Sequence, residues 1–272
     1  MNEELEKQVA VSLEARPELL PFMAELLADV EALGSSPWAV VNLLGSLGLA
    51  RATALDLGCG KGAISICVAR ELGWHAHGVD AFQPFIDHAK QTASDNGVAS
   101  LCEFTCDDMR NVVRSGKSYD VVIYAAHGPL LDAVPCVDML RQCVRAGGYI
   151  LIDDGFLREN VESVPEGYES YLPHAETVKK MTAHGDRLIQ EEVYSAEARN
   201  NIDRQTTASI RARAEALAAR HPEAAQMFLE YVQNQERECQ ILLDIHVPAA
   251  WILQRSSVTV SRGKSDTVIK QT

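Results

Sequence analysis

Short apolar runs alternate with amphipathic helical segments between about residues 52 and 155, and this alternation restricts the fold more than any other feature of the sequence. Runs that lie between helical segments predict five strands: ATALDLG, HAHGVD, LCEFTC, YDVVIYAA and YILIDD. The fourth and fifth runs are apolar at consecutive positions, as expected when helices cover both faces of a sheet. Right-handed crossovers follow from this order. We therefore predict an α/β fold with a doubly wound, mostly parallel sheet.

The flanking segments are predicted to add helices and two more strands, which gives a seven-stranded sheet. We expect an N-terminal helical cap over residues 1–50 and the α/β core over residues 51–156. Residues 157–248 are expected to form a lid and a helical insertion with one strand at about 186–194, and residues 249–272 the last strand and a tail. The insertion carries an apolar stripe that needs a partner. This stripe could be the interface of a homodimer.

Charge and cysteine usage restrict the partners of the chain. There are 38 acidic and 25 basic residues, and the formal net charge is −13. Such a surface repels phosphate backbones, so nucleic acid is not expected as a partner. No apolar run approaches the roughly 20 residues that span a bilayer, and the polar start MNEELEKQ is not a secretory signal. The seven cysteines form no CxxC pair, which favours reduced thiols and a cytoplasmic location.

A glycine-rich turn, LDLGCGKG at residues 55–62, lies where the first strand leads into the first core helix. Glycines allow a ligand to approach the backbone, and the helix that follows offers free N–H groups. Asp80 lies at the end of the second predicted strand, where a carboxylate can accept both hydroxyls of a ribose. Together these features predict a nucleoside-binding crevice at the carboxyl edge of the sheet.

The charge of this edge indicates which nucleoside it binds. Gly58, Gly60 and Ala63 also fit the loose GxGxxA pattern of dinucleotide-binding loops, which is weak evidence by itself. Carboxylates lie at or after the ends of several strands: Asp56, Asp80, Asp107, Asp108, Asp153 and Asp154. Two unit charges about 6 Å apart repel by roughly 3 kcal/mol at an effective dielectric constant near 20. Such an edge disfavours a pyrophosphate and favours a ligand with a sulfonium and an ammonium, namely S-adenosylmethionine.

With these motifs in order, the sequence resembles the class I S-adenosylmethionine-dependent methyltransferases over about residues 35 to 156. LDLGCGKG matches the first motif of the family, and Asp80 matches the acid after its second strand. Asp108 matches the acid after the third strand, although Asp107 could take that register instead. YDVVIYAA and RAGGYILIDD match the fourth and fifth strand segments. The resemblance implies a Rossmann-like methyltransferase fold that binds S-adenosylmethionine.

The resemblance also implies roles for individual residues. Gly58 and Gly60 would approach the methionine portion of the cofactor, with Asp56 near its ammonium, and Asp80 would hold the ribose. The side chain of Asp108 and the backbone of the next residue would meet the adenine. The complete set of predicted cofactor-binding residues is Asp56, Gly58, Gly60, Asp80, Ala81, Asp108, Met109 and Ala125. Trp38 is a further candidate neighbour of the cofactor, and Lys61 is expected at the solvent or at the helix start.

Candidate catalytic residues lie at the ends of the fourth and fifth strands, because methyl transfer is an in-line displacement that needs orientation and, for a protonated nucleophile, a base. His127 is the first candidate for the base, although a loop histidine bonded to backbone is an equal alternative. Asp153 and Asp154 follow as candidates. These two acids could hold part of a Mg²⁺ site, but the fourth strand ends in Ala-Ala-His without an acid, so no metal is expected.

The sequence therefore predicts an S-adenosylmethionine-dependent methyltransferase that acts on a small molecule. The absence of a DPPY or NPPY tetrapeptide after the fourth strand argues further against methylation of flipped nucleobases. Two alternatives stay open. One is an NAD(P)-dependent oxidoreductase that uses the GxGxxA loop, and the other is a non-catalytic protein that binds S-adenosylmethionine.

Overall fold

A seven-stranded sheet lies at the centre of the protein in the computed structural model, which describes residues 3–125 and 133–257. The strands are β1 Thr53–Leu57, β2 His75–Asp80, β3 Cys102–Cys106, β4 Tyr119–Ala125, β5 Val144–Leu157, β6 Arg187–Val193 and β7 His246–Gln254. Their order is β3-β2-β1-β4-β5-β7-β6, and only β7 runs antiparallel to its neighbours. The predicted fold class is confirmed.

Ten helices surround the sheet within the described ranges. They are α1 Glu3–Ser12, α2 Leu20–Leu26, α3 Pro37–Gly45, α4 Ala63–Leu72, α5 Gln83–Asp95, α6 Met109–Arg114, α7 Ala133–Cys143, α8 His174–Met181, α9 Ala196–Arg220 and α10 Ala225–Ile245. On one face of the sheet, α3 and α4 pack against Ile123, Leu151 and Ile252. On the other face, residues of α6, α7 and α8 pack against Leu57 and Trp251. Burial on both faces explains why the central strands are apolar at consecutive positions.

The N-terminal helices and the insertion α9–α10 share a third apolar cluster. Leu19, Met23 and Leu26 are almost fully buried there against Ile210 and Phe228. Ion pairs border this cluster: Arg213 binds both carboxylate oxygens of Asp29 at 2.6 Å, and Arg220 pairs with Glu25. The apolar stripe of the insertion is therefore largely covered within the chain and does not by itself call for a second copy.

Strand β5 begins earlier than the predicted run YILIDD. Helix α7 ends at Cys143, and β5 starts at Val144. The pairing of β5 with β4 is irregular there: Tyr119 pairs with Val144, and Val121 pairs with Tyr149. An irregular pairing interrupts the period-two pattern, so the sequence hides the start of the strand.

The last strand β7 starts at His246 and includes Pro248. Pro248 pairs with Gly155 on the β5 side, and its carbonyl accepts a hydrogen bond from the N–H of Tyr194, just beyond β6. The missing N–H of proline is tolerated near the end of the strand. The predicted strand at about 186–194 is present as β6. No helix in the described ranges is long and apolar enough to cross a membrane.

Candidate functional site

A cavity of about 430 Å³ lies at the carboxyl ends of β1, β2 and β4. Parallel strands of a doubly wound sheet end at a common edge, and the strand order reverses beside β1, which creates a crevice at this point. The cavity is lined by all eight residues that the sequence predicts to bind a cofactor: Asp56, Gly58, Gly60, Asp80, Ala81, Asp108, Met109 and Ala125. The fold therefore brings residues from four separate segments of the chain together.

The turn between β1 and α4 is held against β2 by backbone hydrogen bonds. The N–H groups of Gly58 and Cys59 both donate to the carbonyl of Val79, at 2.7 and 3.0 Å. Gly58, Gly60 and Gly62 have φ angles of 68°, 52° and 80°. L-residues with a side chain rarely adopt this left-handed region, so the glycines are required by the path of the turn. The turn directs the N-terminus of α4 toward the cavity.

Asp80 connects the end of β2 to this glycine turn. Its Oδ2 accepts a hydrogen bond from the N–H of Gly60 at 2.9 Å, and its Oδ1 accepts one from the N–H of Phe82 at 2.8 Å. Burial raises the pKa of Asp80, and these backbone donors oppose that rise. The carboxylate is thus fixed in orientation and still able to accept hydrogen bonds from a ligand in the cavity.

Asp56 lies deeper in the cavity and is 2% exposed. Its Oδ2 accepts a hydrogen bond from the hydroxyl of Ser65 in α4 at 2.7 Å. Burial and, to a smaller extent, the nearby charge of Asp80 raise the pKa of Asp56 to about 6, against hydrogen bonds from Ser65 that lower it. A cationic group next to Asp56 would relieve both effects, so this position favours a ligand with a positive charge.

The two acids after β3 differ in how they are bonded. Asp108 is the N-cap of α6, and its carboxylate binds the guanidinium of Arg110 through both oxygens at 2.8 Å. Arg110 also reaches Gln8 of α1 at 2.5 Å. Asp107 accepts hydrogen bonds through Oδ1 from the N–H of Asp108 and from Asn111. Both acids line the cavity, and the bound Arg110 fixes Asp108 more firmly than Asp107.

Lys61 makes a contact that sequence reasoning missed. Of its two expected positions, the solvent or the helix start, the structure gives the second: Lys61 lies just before the N-cap of α4 and is 4% exposed. Its ammonium donates to the carbonyls of Leu27 at 2.5 Å and of Ala28 at 3.4 Å, which follow α2. Burial lowers the pKa of Lys61. The glycine turn is therefore tied to the N-terminal cap by the only lysine of the LDLGCGKG motif.

The N-terminal cap forms the roof of the cavity. Helix α1 contributes Leu5, Gln8 and Val9 to the lining, and the segment before α3 contributes Ser35. Nothing in the sequence identified Gln8 or Ser35 as cavity residues. Trp38, a candidate neighbour of the cofactor, does not line the cavity. Its side chain is largely exposed and lies under the guanidinium of Arg70.

Four of the six predicted carboxylates line the cavity: Asp56, Asp80, Asp107 and Asp108. Glu31 is a fifth that the sequence reasoning missed. The cations in the lining, Lys61 and Arg110, direct their charges at carbonyls and at Asp108 respectively. The free charge at this edge is therefore negative, in agreement with the argument against a pyrophosphate.

The predicted catalytic residues fall in three different places. His127 lies outside the described residues. Asp153 is 3% exposed and lies behind Ser35, next to the cavity. Asp154 points to the opposite face of β5, where it accepts a hydrogen bond from the hydroxyl of Tyr171 at 3.2 Å. The structure therefore brings only Asp153 of this pair close to the predicted cofactor residues. Within residues 3–125 and 133–257, no three potential metal ligands of the His, Cys, Asp or Glu types lie together.

Comparison with known proteins gives the class of the core. Residues 54–148 match the model of a family described as "Methyltransferase domain", and this agrees with the fold and with the glycine turn that faces a row of carboxylates. The α/β core is thus a class I methyltransferase domain, as the sequence motifs predicted.

Among curated proteins, the chain is similar to the ribosomal protein L11 methyltransferase of Dechloromonas aromatica, with 31% identity over 124 residues. This match covers 44% of the chain and 38% of the relative, so the chain spans well under half the length of the curated relative that it matches.

Among solved structures, the chain is similar to a SAM-dependent methyltransferase from Geobacter sulfurreducens in complex with S-adenosylhomocysteine. The TM-score is 0.73 at 19% identity, and 85% of this chain and 96% of that chain are covered. A SAM-dependent methyltransferase from Thiobacillus denitrificans, also in complex with S-adenosylhomocysteine, gives a TM-score of 0.71 at 20% identity, with 85% and 97% covered. Similarity at this level of identity supports the fold.

Proposed function

We propose that this protein is an S-adenosylmethionine-dependent methyltransferase. The observation that carries this function is a cavity at the end of β1, β2 and β4 in which Asp56, Asp80 and Asp107 surround a left-handed glycine turn. The donor set suits the cofactor, because it offers acceptors for ribose hydroxyls, an adenine amino group and an ammonium. It offers no free cation for a pyrophosphate among the described lining residues.

Individual residues would hold the cofactor as follows. Asp80 would accept the ribose hydroxyls, since its two oxygens are already oriented by the N–H groups of Gly60 and Phe82. Asp56 would lie near the ammonium of the methionine portion, and the backbone of Met109 would meet the adenine. When bound, the cofactor supplies a methyl group on a sulfonium, which is a good leaving group. Asp107 and Asp108 stay the two candidates for the adenine amino group.

The chain itself would contribute orientation and a dry site. Leu5 and Val9 of α1 and Leu33 cover the cavity with apolar side chains, and Ala125 leaves space at the end of β4. Excluding water and fixing the approach of the acceptor are the main contributions that a protein makes to an in-line displacement. The same roof would have to move for the cofactor to bind and leave.

For the methyl acceptor, we propose a small molecule. The cavity is roofed by α1 and the segment before α3, and a covered site suits a compact acceptor better than a folded protein. The similarity to ribosomal protein L11 methyltransferases favours a protein acceptor as the second candidate. That match covers only 38% of the relative, so it leaves most of that protein without a counterpart.

The cofactor is tested by thermal unfolding with S-adenosylhomocysteine and, separately, with NADH. S-adenosylhomocysteine should raise the melting temperature, and NADH should leave it unchanged. The opposite pattern would favour the oxidoreductase alternative.

The acceptor is tested by incubating the protein with methyl-labelled S-adenosylmethionine and a cell extract. Label in the low-mass fraction would support a small molecule, whereas label in acid-precipitated protein would support a protein acceptor. Binding of S-adenosylhomocysteine without any labelled product would favour the non-catalytic alternative.

A further inference from the structure

Three buried polar atoms lie without hydrogen-bond partners beside the cavity. They are Ser35 Oγ, Asp153 Oδ2 and the hydroxyl of Tyr194, and none of them makes a well-formed hydrogen bond to a residue in the described ranges, although the Ser35 side chain is close enough to Asp153 to lower the pKa of that carboxyl. The residues come from three separate segments: the loop before α3, the carboxyl half of β5, and the position after β6. Buried polar groups are nearly always hydrogen-bonded in folded proteins, so three neighbouring exceptions indicate a polar group that these side chains are arranged to receive.

The register of the sheet places Asp153 next to Ala125, which lines the cavity at the end of β4. Asp153 pairs with Ala125 of β4 on one side and with Ala250 of β7 on the other. Paired residues share a face, so Asp153 is flanked by two methyl groups that cannot hydrogen-bond to it. Ala125 and Ser35 both line the cavity. Ser35 is 6% exposed and lies close enough to Asp153 to influence its carboxylate. The carboxylate of Asp153 therefore lies directly behind residues that line the cavity, Ala125 and Ser35.

The charge around Asp153 is negative on balance. Glu192 pairs with Ala250 and lies on the same face, and Asp154 is the next residue along β5. Arg199 of α9 is the one cation that acts on Asp153 among the described residues, and its guanidinium is held by Asp203 at 3.0 Å. Burial raises the pKa of Asp153 to about 6, and the Ser35 hydroxyl and Arg199 oppose the rise. At neutral pH this is a buried carboxylate whose one nearby cation among the described residues is already paired with Asp203.

We propose that Asp153 and Ser35 bind the protonated amine of the methyl acceptor, so that the protein is an N-methyltransferase for a small amine. This inference rests on the proposed function. The hydroxyl of Tyr194 would accept or donate a further hydrogen bond at the same site. An ammonium donates three hydrogen bonds and carries the positive charge that would balance the carboxylate. An alcohol donates only one hydrogen bond and carries no charge.

The same contact accounts for the proton that the reaction must remove. One proton of the ammonium passes to the Asp153 carboxylate, which leaves the lone pair of the amine free. The nitrogen forms a bond to the methyl carbon while the bond from carbon to sulfur breaks, and that electron pair stays on sulfur. The product is a protonated methylamine and a neutral thioether. Asp153 then releases its proton to the solvent. A carboxyl with a pKa of about 6 can both accept a proton from the amine and release it at neutral pH.

The test is calorimetric titration of the protein saturated with S-adenosylhomocysteine. The probes are ethylamine, n-butylamine, benzylamine and 2-phenylethylamine, each compared with the alcohol of the same skeleton. At least one amine should bind about tenfold more tightly than its alcohol, and Asp153→Asn should remove this preference. Ser35→Ala should weaken it. Asp154→Asn is the matched control, because Asp154 lies on the opposite face of β5 and bonds to Tyr171; it should keep the preference.

The outcomes separate this inference from the proposed function. If S-adenosylhomocysteine binds but no amine is preferred to its alcohol, the amine site is refuted and the methyltransferase function stands. The amine site is also refuted if Asp154→Asn, and not Asp153→Asn, removes the preference. If S-adenosylhomocysteine does not bind at all, both proposals fail. Circular dichroism of each variant shows whether a loss of binding reflects unfolding, and retained binding of S-adenosylhomocysteine by Asp153→Asn shows that its cavity is intact.

Discussion

Asp80 Oδ2 accepts a hydrogen bond from the N–H of Gly60 at 2.9 Å, and this contact fixes the glycine turn relative to the end of β2. The carboxylate would therefore have two roles, since it orders the turn and accepts hydrogen bonds from a ribose. Asp80→Ala should weaken binding of S-adenosylhomocysteine by about 1–3 kcal/mol, because charge-assisted hydrogen bonds are lost. Isothermal titration measures the change. Unchanged affinity would remove Asp80 from the binding site. Asp87→Ala, on the exposed side of α5, is the control.

The acids after β3 should differ in their effect on adenine recognition. Both oxygens of Asp108 bind Arg110, whereas no described residue donates to Oδ2 of Asp107. We expect Asp107→Ala to reduce the preference for S-adenosylhomocysteine over S-inosylhomocysteine, which lacks the adenine amino group, by about 1 kcal/mol. Asp108→Ala should mainly destabilise the start of α6, because an N-cap is lost. If Asp108→Ala alone changes the preference, Asp108 and not Asp107 contacts the adenine amino group, as the resemblance to the family implies.

Lys61 should couple the glycine turn to the cap. Lys61→Met keeps most of the apolar stem but leaves the carbonyls of Leu27 and Ala28 without this donor. The expected cost is about 1–3 kcal/mol in unfolding free energy, with faster hydrogen exchange in residues 20–30. Lys90→Met, at an exposed position of α5, should change neither quantity. Equal exchange in both variants would show that the cap is held by its apolar contacts alone.

Gly62 is the N-cap of helix α4 and Gly73 is its C-cap, and both have left-handed backbone angles. A Cβ at Gly62 would lie 2.8 Å from Ala89 Cβ and from the ring of Phe104, whereas nothing lies within 4 Å of a Cβ at Gly73. Gly73→Ala should therefore cost about 1 kcal/mol of stability from the backbone angle alone. Gly62→Ala should cost about 1–3 kcal/mol more, because the side chain overpacks the core. Urea unfolding of both variants measures the difference, and equal values would contradict the packing argument.

The raised pKa of Asp153 makes a prediction about stability and pH. Below pH 4 the carboxyl is neutral in both the folded and the unfolded protein, so it has no effect. As the pH rises from about 4 to about 6, the unfolded form ionises first, and burial of the carboxylate then destabilises the fold. Asp153→Asn should therefore gain about 1–3 kcal/mol relative to the wild type between pH 4 and pH 8. The groups that face Asp153 are unchanged in this comparison: Ser35, Asp154, Glu192, Tyr194 and Arg199.

Urea unfolding at both pH values measures this difference between the two proteins. A constant difference would show that Asp153 is not buried as a free carboxylate. A matched measurement with Asp154→Asn controls for the general loss of one negative charge.

The sheet and its edge could be predicted from the sequence because both depend on local patterns. Consecutive apolar residues mark strands covered on two faces, and a glycine turn followed by Asp80 marks the crevice. The residues whose surroundings the sequence did not predict depend on contacts between distant segments. Lys61 is buried because carbonyls after α2 face it, and Trp38 is exposed because α3 turns its other face to the core. Neither relation has a local signature.

In the candidate site, too, local patterns could be predicted and contacts between distant segments could not. Residues at strand ends were identified by position alone, whereas Ser35 and Gln8 reach the cavity only through the folding of the N-terminal cap over the core. Asp153 and Asp154 are adjacent in sequence and equivalent as candidates there. The register of β5 separates them, because neighbouring residues of a strand point to opposite faces.

The shared apolar cluster of the N-terminal helices and the insertion has a consequence for exchanging parts between relatives. Leu13 and Glu14 follow α1, and their contacts with Tyr231 and Gln235 join them to α10, more than two hundred residues later in the chain. A chimera that receives only the N-terminal helices or only the insertion would lose these contacts. The roof of the cavity would then no longer be held by α10. Acceptor specificity should therefore transfer between homologous enzymes only when both segments are transplanted as a unit.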